Sequence, residues 1–211
     1  MKTLYGMPHT RSFRALWALE EIGADYQYQI VNLGQGEGKT ADFLALNPSG
    51  KLPVLTDTDL VLTESAAICT YLADSHPEKN LIPAAGTVDR ALYNQWCFFV
   101  LSELEQPLWT MGKHKFALPK EYRVRQVQKT AGFEFMRAIS VLEEGLKGRS
   151  FLVGDHFTMA DLLVAHTLTW AEGFKIDHGR LLLDEYRDRI KQREAWKRAH
   201  AIDDAKKEAM A

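Results

Sequence analysis

The residues with the clearest chemical potential are Glu64 and Ser65, which stand where a helix is predicted to begin. Free backbone amides and the positive end of a helix dipole favour an anion, such as a carboxylate, at that position. Glu64 would at the same time suit an ammonium group beside that anion. A Ser65 side chain that only caps the helix uses the same geometry, so the pair by itself leaves both interpretations open.

A second feature is Pro53, which directly precedes the apolar residues Val54 and Leu55. Proline cannot donate to a β-ladder, so it occurs at strand starts, edges and bulges. Taken alone, Pro53 predicts an ordinary turn that ends where a strand begins.

Residues 34–40 read Gly-Gln-Gly-Glu-Gly-Lys-Thr and invite comparison with a phosphate-binding loop. That motif requires glycine at position 33, where this sequence has Leu33, and the dinucleotide fingerprint fails because the glycines follow the spacing G-x-G-x-G. A nucleotide-binding protein that uses the segment from Gly34 to Thr40 is therefore a remote alternative. A mobile glycine-rich loop that carries Lys39 is the favoured interpretation.

The composition excludes several classes of protein. The chain has 211 residues, of which 46% are hydrophobic and 26% charged, so it can bury a core and is not a wholly disordered chain. The formal net charge of −2 argues against binding nucleic acid by bulk charge. Apolar runs are only a few residues long, whereas a bilayer span needs roughly 20, and the first residues lack a secretion signal. We therefore expect a cytoplasmic protein without nucleic-acid or membrane partners.

The cysteines and histidines do not form a metal or disulfide framework. Cys69 and Cys97 lie among apolar neighbours and are expected to be buried free thiols. The histidines lack metal-ligand spacing, so we predict no metal site; those considered are His9, His114, His156 and His166.

The elements that must position these residues are predicted from periodicity. A short strand over residues 2–5 is followed by a helix from Thr10 to Gly23 and an alternating strand over residues 26–33. A short helix at 41–46 precedes a hairpin formed by 54–56 and 60–62, and another helix begins near Ser65. This order, β-α-β, loop helix, β-β-α, is that of a thioredoxin-like α/β sheet, and a strand–helix–strand unit favours a parallel pair.

The chain divides near residue 80. Residues 1–80 form the thioredoxin-like domain, 81–86 a linker, and 87–211 an all-α helical bundle. Helices are expected over 88–112, with a kink at Pro107, and over 121–146, with an apolar stripe that starts at Val124. Thr158 and Asp161 predict a capping box at the start of a further helix. The sequence leaves open whether residues 203–211 fray or cover the site.

Together these segments resemble the cytosolic glutathione S-transferases over nearly the whole chain. The matching pieces are Pro8-His9-Thr10-Arg11-Ser12 with Arg14 and Leu16-Trp17-Ala18-Leu19-Glu20-Glu21, Asn47 through Leu55, Glu64-Ser65-Ala66-Ala67-Ile68 and Phe157 through Asp161. Their order and spacing are more specific than any single piece. The chain looks like a bacterial or fungal Ser-type member, and this resemblance implies a thioredoxin-like domain followed by a helical bundle, glutathione as co-substrate without another cofactor, and a homodimer.

The resemblance also implies a role for individual residues. Pro53 would be a cis-proline, with the backbone of Leu52 and Val54 beside the cysteinyl part of glutathione. Glu64 and Ser65 would hold the γ-glutamyl end. The cations would be Lys39 and Lys51 toward the glycine carboxylate and Arg11 near the sulfur.

The family places Tyr, Ser or Cys near the sulfur, and here Thr10 aligns with that position, with Ser12 as competitor and Tyr5 as a third choice. The absence of cysteine before Cys69 argues against reductase-type members. Lowering a thiol pKa by about two units requires roughly 2.7 kcal/mol, whereas one neutral hydrogen bond contributes about 0.5–1.5 kcal/mol. Thr10 would therefore donate to a thiolate with help from the helix N-terminus; a helix cap is its alternative role.

A pocket for a small hydrophobic electrophile would face the sulfur from the helical domain, with Trp109, Met111 and Phe116 as its residues or, alternatively, as core. The predicted function is conjugation of glutathione to such electrophiles, with peroxide reduction as a possible second activity. A non-catalytic module that binds glutathione or a hydrophobic ligand on the same fold is the alternative.

Overall fold

The computed structural model describes residues 1–210, which divide into two compact units. Unit 1 contains residues 1–82 together with the segment from Lys191 onward, and unit 2 extends from Pro83 to Ile190. Ala211, the last residue of the tail left open by the sequence, lies outside the described residues.

Unit 1 is built on a four-stranded mixed sheet in the order β2-β1-β3-β4. The strands are β1 (Lys2–Gly6), β2 (Tyr26–Ile30), β3 (Val54–Asp57) and β4 (Leu60–Thr63). β1 and β2 are parallel, whereas β1 with β3 and β3 with β4 are antiparallel. The predicted thioredoxin-like order is confirmed, because a helix joins the parallel pair and a tight turn joins the antiparallel hairpin.

Three helices of unit 1 follow the predicted order: α1 (Ser12–Ile22), α2 (Ala41–Leu46) and α3 (Ser65–Asp74). α1 ends at Gly23, whose left-handed φ of 68° is accessible to glycine at little cost. Leu16 and Trp17 of α1 are fully buried, as are Leu55 of the sheet and Leu72 of α3. The core of unit 1 therefore lies between the sheet and these helices.

The last helix, α9 (Glu194–Glu208), also belongs to unit 1. Its small residues Ala195 and Ala199 are buried, and the Trp196 and His200 rings lie 6.2 and 6.3 Å from the ring of Phe13. The prediction of one helical domain over 87–211 therefore needs correction from residue 191 onward, because α9 packs along α1.

Unit 2 is all-helical, as expected, and contains α4 (Val88–Phe99), α5 (Glu105–Gly112), α6 (Val127–Leu146), α7 (Met159–Gly173) and α8 (Leu181–Ile190). A π-helical turn over Val100–Leu104 separates α4 from α5, so the irregularity expected at Pro107 lies just before that residue. α6 begins at Val127, and Val124, placed in its apolar stripe by periodicity, precedes the helix and is 52% exposed.

The capping box at the start of α7 is confirmed. The buried Asp161 carboxylate accepts hydrogen bonds from the backbone N–H of Thr158 at 2.8 Å and of Leu152 at 3.0 Å, and from Tyr186 Oη at 2.6 Å. The predicted free thiols are also confirmed, since Cys69 and Cys97 are both buried, and burial raises the pKa of Cys97 to about 12.

The helices within residues 1–210 differ from membrane-spanning segments. In that range, none combines the length and the apolar character that crossing a bilayer requires.

Candidate active site

Three segments singled out by the sequence meet at one end of the unit 1 sheet. Val54, the first residue of β3, lies opposite Tyr5 of β1 and opposite Thr63, the last residue of β4. The loop after β1, the turn before β3 and the start of α3 after β4 therefore leave the sheet at the same end. The sheet register thus brings together residues that are more than 50 positions apart in the chain.

Residues 7–12, which we call the hydroxyl loop, place two side-chain hydroxyls side by side. The oxygens Thr10 Oγ1 and Ser12 Oγ lie 3.0 Å apart. Thr10 Oγ1 donates to the Met7 carbonyl at 2.6 Å and accepts from the Ser12 backbone N–H at 3.2 Å, while Ser12 Oγ accepts from the Met7 N–H at 3.2 Å. Ser12 is fully buried and Thr10 only partly, so Thr10 is the hydroxyl that a ligand can reach.

The other residues considered for this loop lie nearby but in different settings. Arg11 is the partly exposed residue at the cap position of α1. Tyr5 lies within β1, and its ring is 6.4 Å from that of Phe43.

The turn before β3 is shaped by Asn47. Its Nδ2 donates to the Lys51 carbonyl at 2.8 Å and its Oδ1 accepts from the Ser49 N–H at 3.1 Å. The Leu52–Pro53 peptide bond that follows is cis, as the resemblance implies. Pro53 is buried and Leu52 is half-buried, so the turn places Leu52 nearer the surface than the proline that follows it.

Two glycines in contact bring the segment before α2 and the turn before β3 together. A Cβ atom on Gly38 would lie 2.8 Å from the Gly50 carbonyl oxygen, so only glycine permits this backbone approach. Each glycine precedes a lysine, Lys39 or Lys51, and both lysines are exposed. Residues 33–39 form two short 3₁₀ turns, and the phosphate-loop alternative gains nothing from that shape.

The start of α3 differs from a simple serine cap. Glu64 occupies the cap position with a φ of 66°, and among the residues that the structure describes no side chain caps the helix there. Ser65 is the first helical residue, so its interpretation as the cap is wrong. Its buried Oγ accepts a hydrogen bond from Arg14 Nη1 at 3.3 Å, and Arg14 is fully buried.

Arg14 is a residue to which the sequence assigned no role. The sequence contains an indication that Arg14 is special, because it stands between the apolar residues Phe13 and Ala15 of a predicted helix. In the structure, residues 12–19 of this segment are all buried. A guanidinium in that position adds positive charge behind Ser65, in the same sense as the helix dipole.

Comparison with known proteins agrees with this architecture. The family models of the glutathione S-transferase N-terminal and C-terminal domains match residues 2–74 and 106–194. A glutathione S-transferase-like protein of a Fusarium species, LUC7, is 35% identical over 78% of this chain and 74% of its own. The chain belongs to the glutathione S-transferase family.

Solved structures of the family have the same fold. A glutathione transferase of Methylococcus capsulatus is 30% identical, with a TM-score of 0.87 over 97% of this chain and 100% of its own. A sphingomonad glutathione S-transferase, solved in complex with glutathione, is 30% identical, with a TM-score of 0.83 over 95% and 98% of the two chains.

In unit 2 of this family member, two of the three predicted pocket residues belong to an aromatic group. The Trp109 and Trp170 rings are 6.5 Å apart, and the Trp170 and Phe174 rings 5.8 Å apart. Phe116 and Phe174 both lie within 3.5 Å of where a Cβ on Gly112 would be, and Phe116 is 57% exposed. The sequence missed Trp170 and Phe174 because they lie in or just after α7, some 60 residues further along the chain.

Met111, the third predicted pocket residue, is half-buried beside Gly112 in α5, and its carbonyl accepts a hydrogen bond from Gln128 Nε2 at 2.9 Å. Within residues 1–210, no group of three or more His, Cys, Asp or Glu side chains is arranged to hold a metal ion.

Proposed function

We propose that the protein binds glutathione at the end of the unit 1 sheet and transfers its thiolate to small hydrophobic electrophiles. The observation that carries this proposal is the convergence there of the hydroxyl loop, the cis Leu52–Pro53 turn and the start of α3. In this proposal Thr10 takes the place of the serine of Ser-type members.

The tripeptide would be held from three sides. The Leu52 backbone, with Pro53 and Val54 fixing its direction, would pair with the cysteinyl unit. The exposed Glu64 carboxylate would bind the γ-glutamyl ammonium, while Ser65 and the α3 amides, backed by Arg14, would bind the carboxylate beside it.

The remaining cations complete the proposed binding surface. Lys39 and Lys51, whose preceding residues Gly38 and Gly50 are in contact, would attract the glycine carboxylate. Arg11, at the cap position of α1, would add positive potential near the sulfur.

Thr10 would act as a hydrogen-bond donor to the thiolate rather than as a base. Its proton now points to the Met7 carbonyl and would turn to the sulfur. The Ser12 hydroxyl, which already accepts from the Met7 N–H, could then donate its own proton to Thr10 Oγ1. Such a chain strengthens each donor in turn. Because the thiolate is charged, this hydrogen bond contributes about 1.5–3 kcal/mol, more than the neutral bond considered from the sequence, and with the helix N-terminus it reaches the roughly 2.7 kcal/mol required.

The chemical step is a substitution. The glutathione thiolate attacks an electrophilic carbon, a C–S bond forms, and the leaving group departs with its electron pair. We assign the electrophile to the aromatic group of unit 2 that contains Trp109 and Phe116, with Met111 beside it, because its partly exposed rings suit an apolar, aromatic substrate.

The test compares three variants in conjugation of a chlorodinitrobenzene and in reduction of an organic hydroperoxide. Thr10→Ala is expected to lower kcat about 10-fold or more while the KM for glutathione changes little, since the lost bond stabilises the thiolate. Glu64→Ala is expected to raise that KM. Ser12→Ala, which removes the second hydroxyl of the pair, is expected to lower kcat less than Thr10→Ala, because Ser12 acts only through Thr10.

Each alternative has its own outcome in these assays. A silent Thr10→Ala beside an impaired Ser12→Ala would assign the role to Ser12. Tight glutathione binding without turnover of either substrate would favour a non-catalytic binding module.

We also propose a homodimer. The family resemblance implies a dimer, and Phe98 of α4 and Phe133 of α6, which are 70% and 64% exposed, are apolar side chains that a partner chain would cover. Size-exclusion chromatography with light scattering should give a molar mass twice that of one chain. The Phe133→Glu variant should give a molar mass closer to that of the monomer. A monomeric wild-type protein would contradict this proposal.

A further inference from the structure

We propose that Asp203 of α9 is a positioning residue that holds the hydroxyl loop in the conformation that presents Thr10. This inference rests on the proposed function, and it extends the site to the opposite end of the chain. The sequence assigned Asp203 no role.

The Asp203 carboxylate binds two groups that flank the loop. Oδ2 accepts the backbone N–H of His9 at 2.8 Å, and Oδ1 accepts the hydroxyl of Tyr28 at 3.1 Å. Asp203 is only 2% exposed, although it lies in a helix with many charged residues. A buried carboxylate with two directed partners is a built contact and not an incidental surface pair.

The His9 contact matters because of the backbone conformation of that residue. His9 has a φ of 59°, in the left-handed region that residues other than glycine enter only at a cost in conformational free energy. Its peptide leads directly to Thr10. The free energy of a charge-assisted hydrogen bond from the His9 N–H is of the same order as that cost. The bond to Asp203 can therefore stabilise this loop conformation over others.

Tyr28 connects the same carboxylate to the other side of the loop. A Cβ atom on Gly6 would lie 2.8 Å from Tyr28 Cε2 and 2.7 Å from Ser12 Cβ, so the tyrosine ring, the end of β1 and Ser12 are packed without spare room. Asp203 thus fixes the tyrosine that borders Ser12 as well as the peptide that precedes Thr10.

The helix that carries Asp203 is itself anchored to α1. Arg193 donates two hydrogen bonds to the Glu21 carboxylate, at 2.6 and 2.7 Å, and Arg198 donates to Glu20 Oε2 at 2.7 Å. Because the hydroxyl loop leads into α1, these ion pairs fix the position of the Asp203 carboxylate relative to the loop.

The neighbouring Asp204 provides a matched control. It lies one residue further along α9, and within residues 1–210 its carboxylate bonds side chains only, His9 Nε2 at 2.9 Å and His200 Nδ1 at 2.9 Å. Removing Asp204 deletes a carboxylate from the same helical turn and leaves the His9 N–H contact with Asp203 in place.

The test compares Asp203→Ala, Asp203→Asn and Asp204→Ala in the conjugation assay, together with the ultraviolet absorbance of the thiolate of bound glutathione. Asp203→Ala is expected to lower kcat about 10-fold and to move thiolate formation to higher pH, with the KM for glutathione changed less than about twofold. Asp203→Asn can still accept from His9 and meet Tyr28, so it should retain most of the wild-type kcat. Asp204→Ala should resemble the wild type.

A kcat for Asp203→Ala equal to that of Asp204→Ala would overturn the proposal. If the alanine variant fails to fold, Asp203→Ser, which remains polar but is too short to reach His9, replaces it. Should the wild-type protein bind glutathione without turnover, the proposed function fails, and amide hydrogen exchange over residues 9–12 decides about Asp203. Faster exchange in Asp203→Ala than in Asp204→Ala supports the positioning role, and equal exchange contradicts it.

Discussion

At the scale of single residues, Asp57 shows how a charged group couples the sheet to a helix. Its carboxylate, at the end of β3, lies 3.0 Å from Lys2 Nζ of β1 and accepts a hydrogen bond from Tyr71 Oη of α3 at 2.9 Å. Partial burial raises the pKa of Asp57, but the hydrogen bonds from Lys2 and Tyr71 outweigh it, so the pKa lies below its ordinary value.

This lowered pKa predicts a loss of stability in acid. The unfolded chain binds the proton more readily, so the contribution of Asp57 is fully present above about pH 4 and is lost as the pH falls through the folded-state pKa. Urea unfolding of the wild type and of Asp57→Asn should therefore give a difference in unfolding free energy that shrinks on acidification. A difference independent of pH would show that the ionised carboxylate does not stabilise the fold.

At the scale of elements, α6 contains two glycines in opposite situations. A Cβ atom on Gly145 would overlap the Trp96 ring of α4, whereas a Cβ on Gly132 would meet no neighbouring atom of residues 1–210 within 4 Å. The two helices therefore approach closely where Gly145 faces Trp96, whereas the position of Gly132 tolerates a larger side chain.

This contrast predicts opposite effects of one substitution in a single helix. Gly132→Ala should stabilise the protein by up to about 1 kcal/mol through helix propensity. Gly145→Ala should destabilise it by about 1–3 kcal/mol, because the tryptophan must move out of a packed position. Chemical denaturation of both variants provides the measurement, and equal effects would mean that Trp96 does not restrict the helix pair.

At the scale of the whole molecule, unit 1 is closed by the last part of the chain. α9 contributes the buried Ala195 and Ala199, and Arg193 pairs with Glu21, whose side chain is almost fully buried. A chain that ends at Ile190 would leave Glu21 without this cation and expose the α1 surface that α9 covers.

We expect such a shortened chain to unfold at a Tm lower by roughly 10 °C, since a loss of 1 kcal/mol lowers Tm by about 2–4 °C in a protein of this size and several contacts are lost together. A chain that ends at Glu208 keeps all of α9 and should unfold like the full-length protein. Calorimetry that gave the same Tm for all three chains would contradict the role of α9.

Much of this architecture follows from the order of residues along the chain. Alternating and helical periodicity predicted the order of strands and helices in unit 1, and the Thr158–Asp161 spacing predicted the capping box of α7. These features arise from contacts between residues close in sequence, where local pattern and local structure share one cause. The family resemblance added the cis Leu52–Pro53 bond, which no local pattern required.

Only the tertiary structure shows which residues that are far apart in the chain lie in contact. In it, Arg14 donates a hydrogen bond to Ser65, and Gly38 contacts Gly50. Helix α9 packs in unit 1, where Asp203 accepts a hydrogen bond from His9 of the hydroxyl loop. The α9 sequence buries mainly alanines and carries charges on several sides, so its apolar pattern does not reveal its partner. Contacts across nearly 200 residues depend on how the whole chain closes its core, and that information is not contained in any short window of sequence.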